Sequence, residues 1–115
     1  MIPAFPHVTR EDVRRKVEAG DVVLVDARSP MAFALSHLPG AVNLTSRWVT
    51  ERASWYIRDP DTETIVYCGG VDCDNASTVA AQLVQLGYRN VHHYAEGIED
   101  WAGSGLPLEG RGVRT

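Results

Sequence analysis

The sequence has little of what marks membrane, disulfide-rich or nucleic-acid-binding proteins. Only two of its 115 residues are cysteine, too few for a disulfide framework, so any cysteine chemistry has to be local. No uninterrupted apolar run exceeds about five residues, far short of a membrane span. Basic residues number 11 against 15 acidic ones, and the resulting net charge of −4 argues against a nucleic-acid partner.

Length and composition predict one soluble domain. Apolar residues make up 44% of the chain and charged residues 23%, both ordinary for a globular protein. A chain of 115 residues can bury a core without staples, so we expect a single domain over residues 1–115. The segment Met1–Pro6 is too short and too rich in proline for a signal peptide. We therefore expect a cytoplasmic protein with reduced thiols, no membrane partner, and a monomeric or weakly dimeric state.

Strand and helix patterns alternate along the chain. The run Val22–Val25 is continuously apolar, as in strands that are buried on both faces. Strands are expected near 22–25, 41–44, 64–68 and 91–95, and helices near 10–19, 30–36, 46–57, 76–86 and 97–101. This alternation predicts an α/β fold: a mostly parallel sheet of about five strands with helices on both faces. Residues 103–107 lead into a polar C-terminal tail, beyond the core of about residues 8–109, that we expect to fray.

Cys68 is the candidate reactive residue. It ends the β-branched strand Thr64–Tyr67, a Gly-Gly pair follows it, and a helical pattern begins at Ala76. Unpaired backbone N–H groups and the positive end of a helix dipole lower the pKa of a thiol and favour the thiolate. Ligands of parallel sheets bind at the carboxyl ends of strands, where Asp26 is also expected. The alternative is a buried, inert cysteine.

Three groups of residues, in order along the chain, resemble the rhodanese family of sulfurtransferases. They are Val25-Asp26-Ala27-Arg28 with Phe33 and His37-Leu38-Pro39-Gly40-Ala41; Ile65-Val66-Tyr67-Cys68 with Leu86-Gly87-Tyr88 and Asn90-Val91; and Gly97-Ile98-Glu99-Asp100-Trp101 with Gly105-Leu106-Pro107. The resemblance covers a core of about residues 8–109. It implies the three-layer rhodanese-like fold.

The resemblance also implies a function and a site. Cys68 would take a sulfane sulfur from thiosulfate or a persulfide, hold it as a persulfide, and pass it to a thiol or other nucleophilic acceptor. The donor would be a small molecule and the acceptor a small thiol or a protein, with no cofactor and no metal. The active-site loop would be Gly69, Gly70, Val71, Asp72, Cys73 and Asp74, whose N–H groups would surround the persulfide. Asp26, Arg28 and His37 would be supporting residues, the first two for nearby loops and His37 for the backbone of its turn.

The loop departs from the commonest family pattern in its charge. That pattern has an arginine or lysine soon after the cysteine, whereas no cation lies between Cys68 and Gly87 here. Asp72 and Asp74 instead place two carboxylates beside the thiol, which predicts weak reaction with the thiosulfate dianion. A phosphatase of related fold needs an arginine cradle for phosphate, so this reading is disfavoured.

Cys73 leaves several roles open. It is a resolving thiol, a persulfide relay or a small packing residue, and its spacing from Cys68 allows a disulfide under oxidation. Capping of the next helix by Asp74 or Asn75 would instead turn Cys73 away. The alternative to an enzyme is a non-catalytic binding or redox-sensing module that uses the Cys68/Cys73 pair. Zinc shared with His92 and His93 is disfavoured, because adjacent strand residues point to opposite faces.

Overall fold

A parallel four-stranded sheet forms the centre of the molecule, and the computed structural model describes residues 6–113. The strands are β1 (Val23–Asp26), β2 (Val42–Asn43), β3 (Thr64–Tyr67) and β4 (Val91–Tyr94), in the order β2-β1-β3-β4. The helices are α1 (Arg10–Ala19), α2 (Pro30–Leu35), α3 (Val49–Tyr56), α4 (Asn75–Gln85) and α5 (Gly97–Gly103), and a 3-10 turn (Ser46–Trp48) precedes α3. The predicted α/β class is confirmed.

Alternating side chains of the sheet build two separate cores. Val25 and Val66 face one side, where they pack with α3 and α4. Leu24 and Ile65 face the other side and join the core that Trp101 of α5 and a valine of α1 complete. Because both faces of each central strand are buried, β1 and β3 are almost uniformly apolar. The three-layer arrangement follows from this.

The sheet has four strands within residues 6–113, against the expected count of about five. In place of a fifth strand, His7 forms a single parallel bridge to His93 beside β4. Val8 N donates to His93 O at 3.1 Å, and His93 N donates to Pro6 O at 2.9 Å. Pro6 has no N–H to donate to this ladder, and Thr9 caps α1, so between residues 6 and 9 only this single bridge forms.

Helix α1 begins and ends where its local sequence predicts. Thr9 Oγ1 accepts from Asp12 N at 3.2 Å and Asp12 Oδ2 accepts from Thr9 N at 3.4 Å, a reciprocal capping box. Gly20 closes the helix in the left-handed conformation, with φ 77°. No helix within the described range 6–113 is long and apolar enough to cross a membrane.

The C-terminal segment is ordered as far as residue 113, which corrects the expectation that it frays. His37 and Glu109 exchange two backbone hydrogen bonds of 2.8 and 2.9 Å. Arg111 N and Gly112 N then donate to the last two carbonyls of α2, at 2.8 and 2.9 Å. These carbonyls have no partner within their own helix, so a segment that is distant in sequence satisfies the end of α2.

Candidate active site

Backbone contacts fix the position of Cys68. The residue follows β3 directly and is only 4% exposed. Ile98 N donates to Cys68 O at 3.0 Å, and Glu99 N donates to Gly69 O at 2.9 Å. The first turn of α5 therefore holds the start of the loop through main-chain atoms alone.

Gly97 makes this close approach of α5 feasible. Its φ of +62° lies in the left-handed region, and a Cβ at this position would lie 2.9 Å from the carbonyl carbon of Gly69. Any other residue would be strained by its backbone and would collide with the loop. The third family-like motif thus supplies the backbone that seats the cysteine.

Cys68 and Cys73 are joined by a disulfide, with their Cα atoms 6.2 Å apart. This separation lies within the range of about 4.4–6.8 Å that disulfides require. A turn closes the loop between them, in which Cys73 N donates to Gly70 O at 3.1 Å. Asp74 occupies the N-cap position of α4 but makes no side-chain capping bond, and Asn75 is the first residue of the helix, so the alternative in which capping turns Cys73 away is not what the structure has.

A cavity of about 270 Å³ opens beside the loop. It is lined by Gly69, Gly70, Asp72, Cys73 and Glu99. The side chain of Glu99 lies over Gly70, so this carboxylate and that of Asp72 border the same space. Val71, at the tip of the loop, and Asp74, at its end, are both exposed to solvent.

Glu99 was not among the residues nominated from the sequence. It belongs to the motif Gly97–Trp101, which points to the end of β4 rather than to the cysteine loop. Only the sheet order, in which β3 and β4 are neighbours, brings the start of α5 against that loop. The motif therefore marked Glu99 in the sequence, but its place beside the cysteine loop could be known only from the order of the strands.

Asp26 and Arg28 form a buried ion pair at the end of β1. Arg28 Nη2 lies 2.8 Å from Asp26 Oδ2 and its Nε lies 3.1 Å from Oδ1, while Arg28 N donates to Oδ1 at 2.9 Å. The Arg28 guanidinium also donates to the carbonyl of Ser36. Asp26 is fully buried, and its charge is compensated by these bonds. The pair ties the loop after β1 to the end of α2.

Tyr67 extends this network to the residue before Cys68. Its hydroxyl donates to Asp26 Oδ2 at 2.7 Å and accepts from Leu38 N at 3.0 Å. Burial and the nearby Asp26 charge raise the pKa of Tyr67 well above its ordinary value. Tyr67 and Cys68 belong to the cores on opposite faces of the sheet. The network thus holds the end of β3 from the face of the sheet opposite to Cys68.

His37 lies in a different environment from the cysteines. Its Nδ1 is 2.7 Å from the carbonyl oxygen of Phe33, and its ring stacks on that of Phe33 with centroids 3.9 Å apart. Its Nε2 is 3.8 Å from a carboxylate oxygen of Glu109. These contacts join α2 to the C-terminal segment, and His37 does not line the cavity beside Cys73.

The remaining histidines are spread apart. His92 Nε2 lies 2.7 Å from Asn90 Oδ1, whereas His93 makes an edge-on contact with His7 at 5.2 Å between ring centroids. Between residues 6 and 113, no group of three or more histidine, cysteine or acidic side chains is placed to hold a metal ion.

Comparison with known proteins places this arrangement in a family. Residues 9–104 match the rhodanese-like domain. The chain is 34% identical over 107 residues to the thiosulfate sulfurtransferase GlpE of Actinobacillus succinogenes, covering 92% of each protein. It is 31% identical over 102 residues to the HTH-type transcriptional regulator Rv0324 of Mycobacterium tuberculosis, a match that takes in 89% of this chain and spans 44% of that protein. The BH2092 protein of Bacillus halodurans has a similar structure, with a TM-score of 0.85, 27% identity, and coverage of 93% of this chain and 78% of that one.

Proposed function

This chain belongs to the rhodanese-like domain family, and from that premise we propose that it is a sulfurtransferase that carries a sulfane sulfur on Cys68. The observation that carries the proposal is the position of Cys68 in the fold. It lies at the carboxyl end of a central parallel strand, in a loop held by α5 and bordered by a cavity. Substrates of parallel α/β proteins bind at this edge of the sheet. The GlpE relatives, named as thiosulfate sulfurtransferases, support the same reaction class.

The reaction begins from the reduced form of the cysteine pair. The Cys68 thiolate attacks the outer sulfur of the donor and bonds to it. The bond from that sulfur to the rest of the donor breaks, and the rest leaves as sulfite from thiosulfate or as a thiolate from a persulfide. An acceptor thiol, on a small molecule or a protein, then attacks the outer sulfur of the Cys68 persulfide and restores the thiolate. Because the disulfide has to be reduced first, we place this activity in a reducing compartment, the cytoplasm.

The other nominated residues have supporting roles in this proposal. The loop Gly69–Asp74 surrounds the persulfide, and its backbone N–H groups stabilise the anionic sulfur. Asp26 and Arg28 are positioning residues that hold the ends of β1 and α2, and Tyr67 links them to the strand that carries Cys68. His37 orders the turn after α2.

Mass spectrometry of the reduced protein tests the proposal. We expect the reduced protein to take sulfur from thiosulfate or a low-molecular-weight persulfide through Cys68, so that Cys73→Ser gains one sulfur atom on Cys68 and Cys68→Ser gains none. Cys73→Ser is the matched control, because it makes the same change of atom in the same loop and leaves the nucleophile in place. Undiminished sulfur uptake by a folded Cys68→Ser protein would exclude this assignment.

A redox-sensing module is the second candidate function, and the Cys68–Cys73 disulfide is the observation that favours it. One relative, Rv0324, is named an HTH-type transcriptional regulator, so a domain of this family also occurs in a protein named for regulation. A sensor would form and break the disulfide reversibly but take up no sulfur from any donor. A sulfurtransferase would take up sulfur, so sulfur uptake by the reduced protein separates the two functions. Reaction of the reduced protein with an alkylating agent below neutral pH would exclude a pure binding module, which has no reason to hold the thiol as a thiolate.

A further inference from the structure

We propose that Cys73 resolves the Cys68 persulfide, releasing the carried sulfur as hydrosulfide and leaving the Cys68–Cys73 disulfide. The inference deepens the proposed function and rests on it. Its basis is the bonded pair itself: the two Cα atoms lie 6.2 Å apart, and the turn between Gly70 and Cys73 brings the second sulfur onto the first. The Cys68–Cys73 disulfide is the bond that this step would form.

The geometry selects which sulfur of the persulfide Cys73 attacks. In the structure, Cys73 Sγ is bonded to Cys68 Sγ, and this atom becomes the inner sulfur once Cys68 carries a persulfide. Attack on the inner sulfur expels the outer one, whereas attack on the outer sulfur would transfer it to Cys73. The outer sulfur lies about 2 Å beyond Cys68 Sγ, the length of one S–S bond. The loop therefore favours expulsion over relay.

The step balances without any further reagent. A bond forms between Cys73 Sγ and Cys68 Sγ, and the bond between Cys68 Sγ and the outer sulfur breaks. The outer sulfur takes the electron pair of that bond and the proton of the Cys73 thiol, so it leaves as hydrosulfide. It is reduced by two electrons, and the two cysteine sulfurs are oxidised to the disulfide. Two equivalents of a thiol reductant then restore both cysteines.

The surroundings of the two cysteines decide which sulfur a thiol reductant attacks first. Cys73 lines the cavity with Asp72 and Glu99, whereas Cys68 is 4% exposed and is not among the lining residues. An incoming thiol thus meets the sulfur of Cys73 first and forms a mixed disulfide there, which frees Cys68 as the thiolate. The two carboxylates repel the hydrosulfide anion and so favour its departure from the cavity.

A single-turnover experiment on the full chain tests the inference. The protein is reduced with a phosphine, freed of reductant without oxygen, and mixed with one equivalent of thiosulfate or cysteine persulfide. We expect wild type to release about one hydrosulfide per chain and to lose the mass of two hydrogen atoms, because the resolving thiol is intramolecular. We expect Cys73→Ser to keep the added sulfur on Cys68 and to release roughly tenfold less hydrosulfide. Cys68→Ser serves as the blank and should do neither.

Each other outcome overturns the inference in a recognisable way. A stable persulfide on Cys68 in wild type, without hydrosulfide, shows that Cys73 does not resolve it, while the proposed function stands. Sulfur mapped to Cys73 shows a relay. Absence of sulfur uptake in both wild type and Cys73→Ser removes the proposed function and the inference together. The wild-type measurement decides the question even if a variant fails to fold, and excluding oxygen separates resolution from simple oxidation.

Discussion

Replacing Tyr67 by phenylalanine removes one buried hydroxyl and two hydrogen bonds. The hydroxyl donates to the buried carboxylate of Asp26 at 2.7 Å and accepts from Leu38 N at 3.0 Å. Tyr67 and Asp26 have no measurable exposure, and Leu38 is equally buried, so water cannot replace the lost partner. The ring of phenylalanine fills the same space, and the change isolates the polar contribution.

The expected cost comes from two groups that lose a partner. A hydrogen bond to a charged group contributes about 1.5–3 kcal/mol, and a buried N–H left without a partner costs about 1–3 kcal/mol. Allowing for partial relaxation, we expect Tyr67→Phe to lower the free energy of unfolding by about 3–5 kcal/mol. At roughly 4 °C per kcal/mol for a domain of this size, Tm falls by about 12–20 °C.

Urea unfolding of reduced wild type and variant, followed by circular dichroism, measures this loss. Tyr88→Phe is the matched control, because the Tyr88 hydroxyl donates to the neutral carbonyl of Ile57 at 2.8 Å from a half-buried position. We expect this control to cost only about 0.5–1.5 kcal/mol. Equal losses in the two variants would refute the argument that the charge of Asp26 makes the Tyr67 bond strong. A cycle with Asp26→Asn measures the coupling directly.

Three further predictions concern the loop anchor, alkaline pH and donor charge. Gly97→Ala should destabilise the protein by about 1–2 kcal/mol because of its left-handed backbone and by about 1–3 kcal/mol more because the added Cβ collides with the loop, and it should slow sulfur loading. Gly103→Ala is the control and should be nearly neutral, since no atom lies within 4 Å of an added Cβ there. Equal Tm values for the two variants would contradict this prediction. Tyr67 and Tyr94 both have a raised pKa in the folded state, chiefly through burial. The stability that these two tyrosines contribute is complete below the unfolded pKa of about 10. Above that pH the free energy of unfolding falls by about 1.4 kcal/mol per pH unit for each tyrosine. Unfolding free energies that stay constant from about pH 9 to 11 would disprove this. Asp72→Asn, Asp74→Asn and Glu99→Gln should each speed thiosulfate loading by about fivefold to thirtyfold, and added salt should speed it for wild type. A like charge at about 4 Å costs about 1 kcal/mol per unit charge even in water, which is about 2 kcal/mol for the thiosulfate dianion. Glu18→Gln, an exposed carboxylate on α1, is the control, and an equal gain there would show a general charge effect.

Features encoded locally were predictable from the sequence. The capping box of Thr9 and Asp12, the stop at Gly20 and the apolar strand before Cys68 all rest on residues that are near neighbours in the chain. These signals fixed the alternation of strands and helices, and with it the edge of the sheet where Cys68 lies. The disulfide with Cys73 was also within reach, because only four residues separate the two cysteines.

Features that depend on long-range pairing were not predictable in the same way. Tyr67 reads as an ordinary apolar strand residue until its hydroxyl is seen to meet Asp26, 41 positions earlier. Glu99 reaches the cysteine loop only because β3 and β4 are neighbours. Glu109 forms a backbone bridge with His37, which is far away in the sequence. The polar composition of the C-terminal segment predicted fraying because it gives no sign of this partner.

The attachment of the cysteine to α5 has a consequence for how this protein can change. The bonds from Ile98 and Glu99 reach the carbonyls of Cys68 and Gly69, and no side chain of the loop takes part in them. Side chains at 70–74 can therefore change in size or charge while the main-chain hydrogen bonds that hold Cys68 and Gly69 remain. Under the proposed function, the side chains of this stretch would govern the choice of donor and the fate of the sulfur, while the bonds from α5 would keep Cys68 in place. A graft of a foreign loop at 70–74 is thus the direct route to a new specificity on this scaffold.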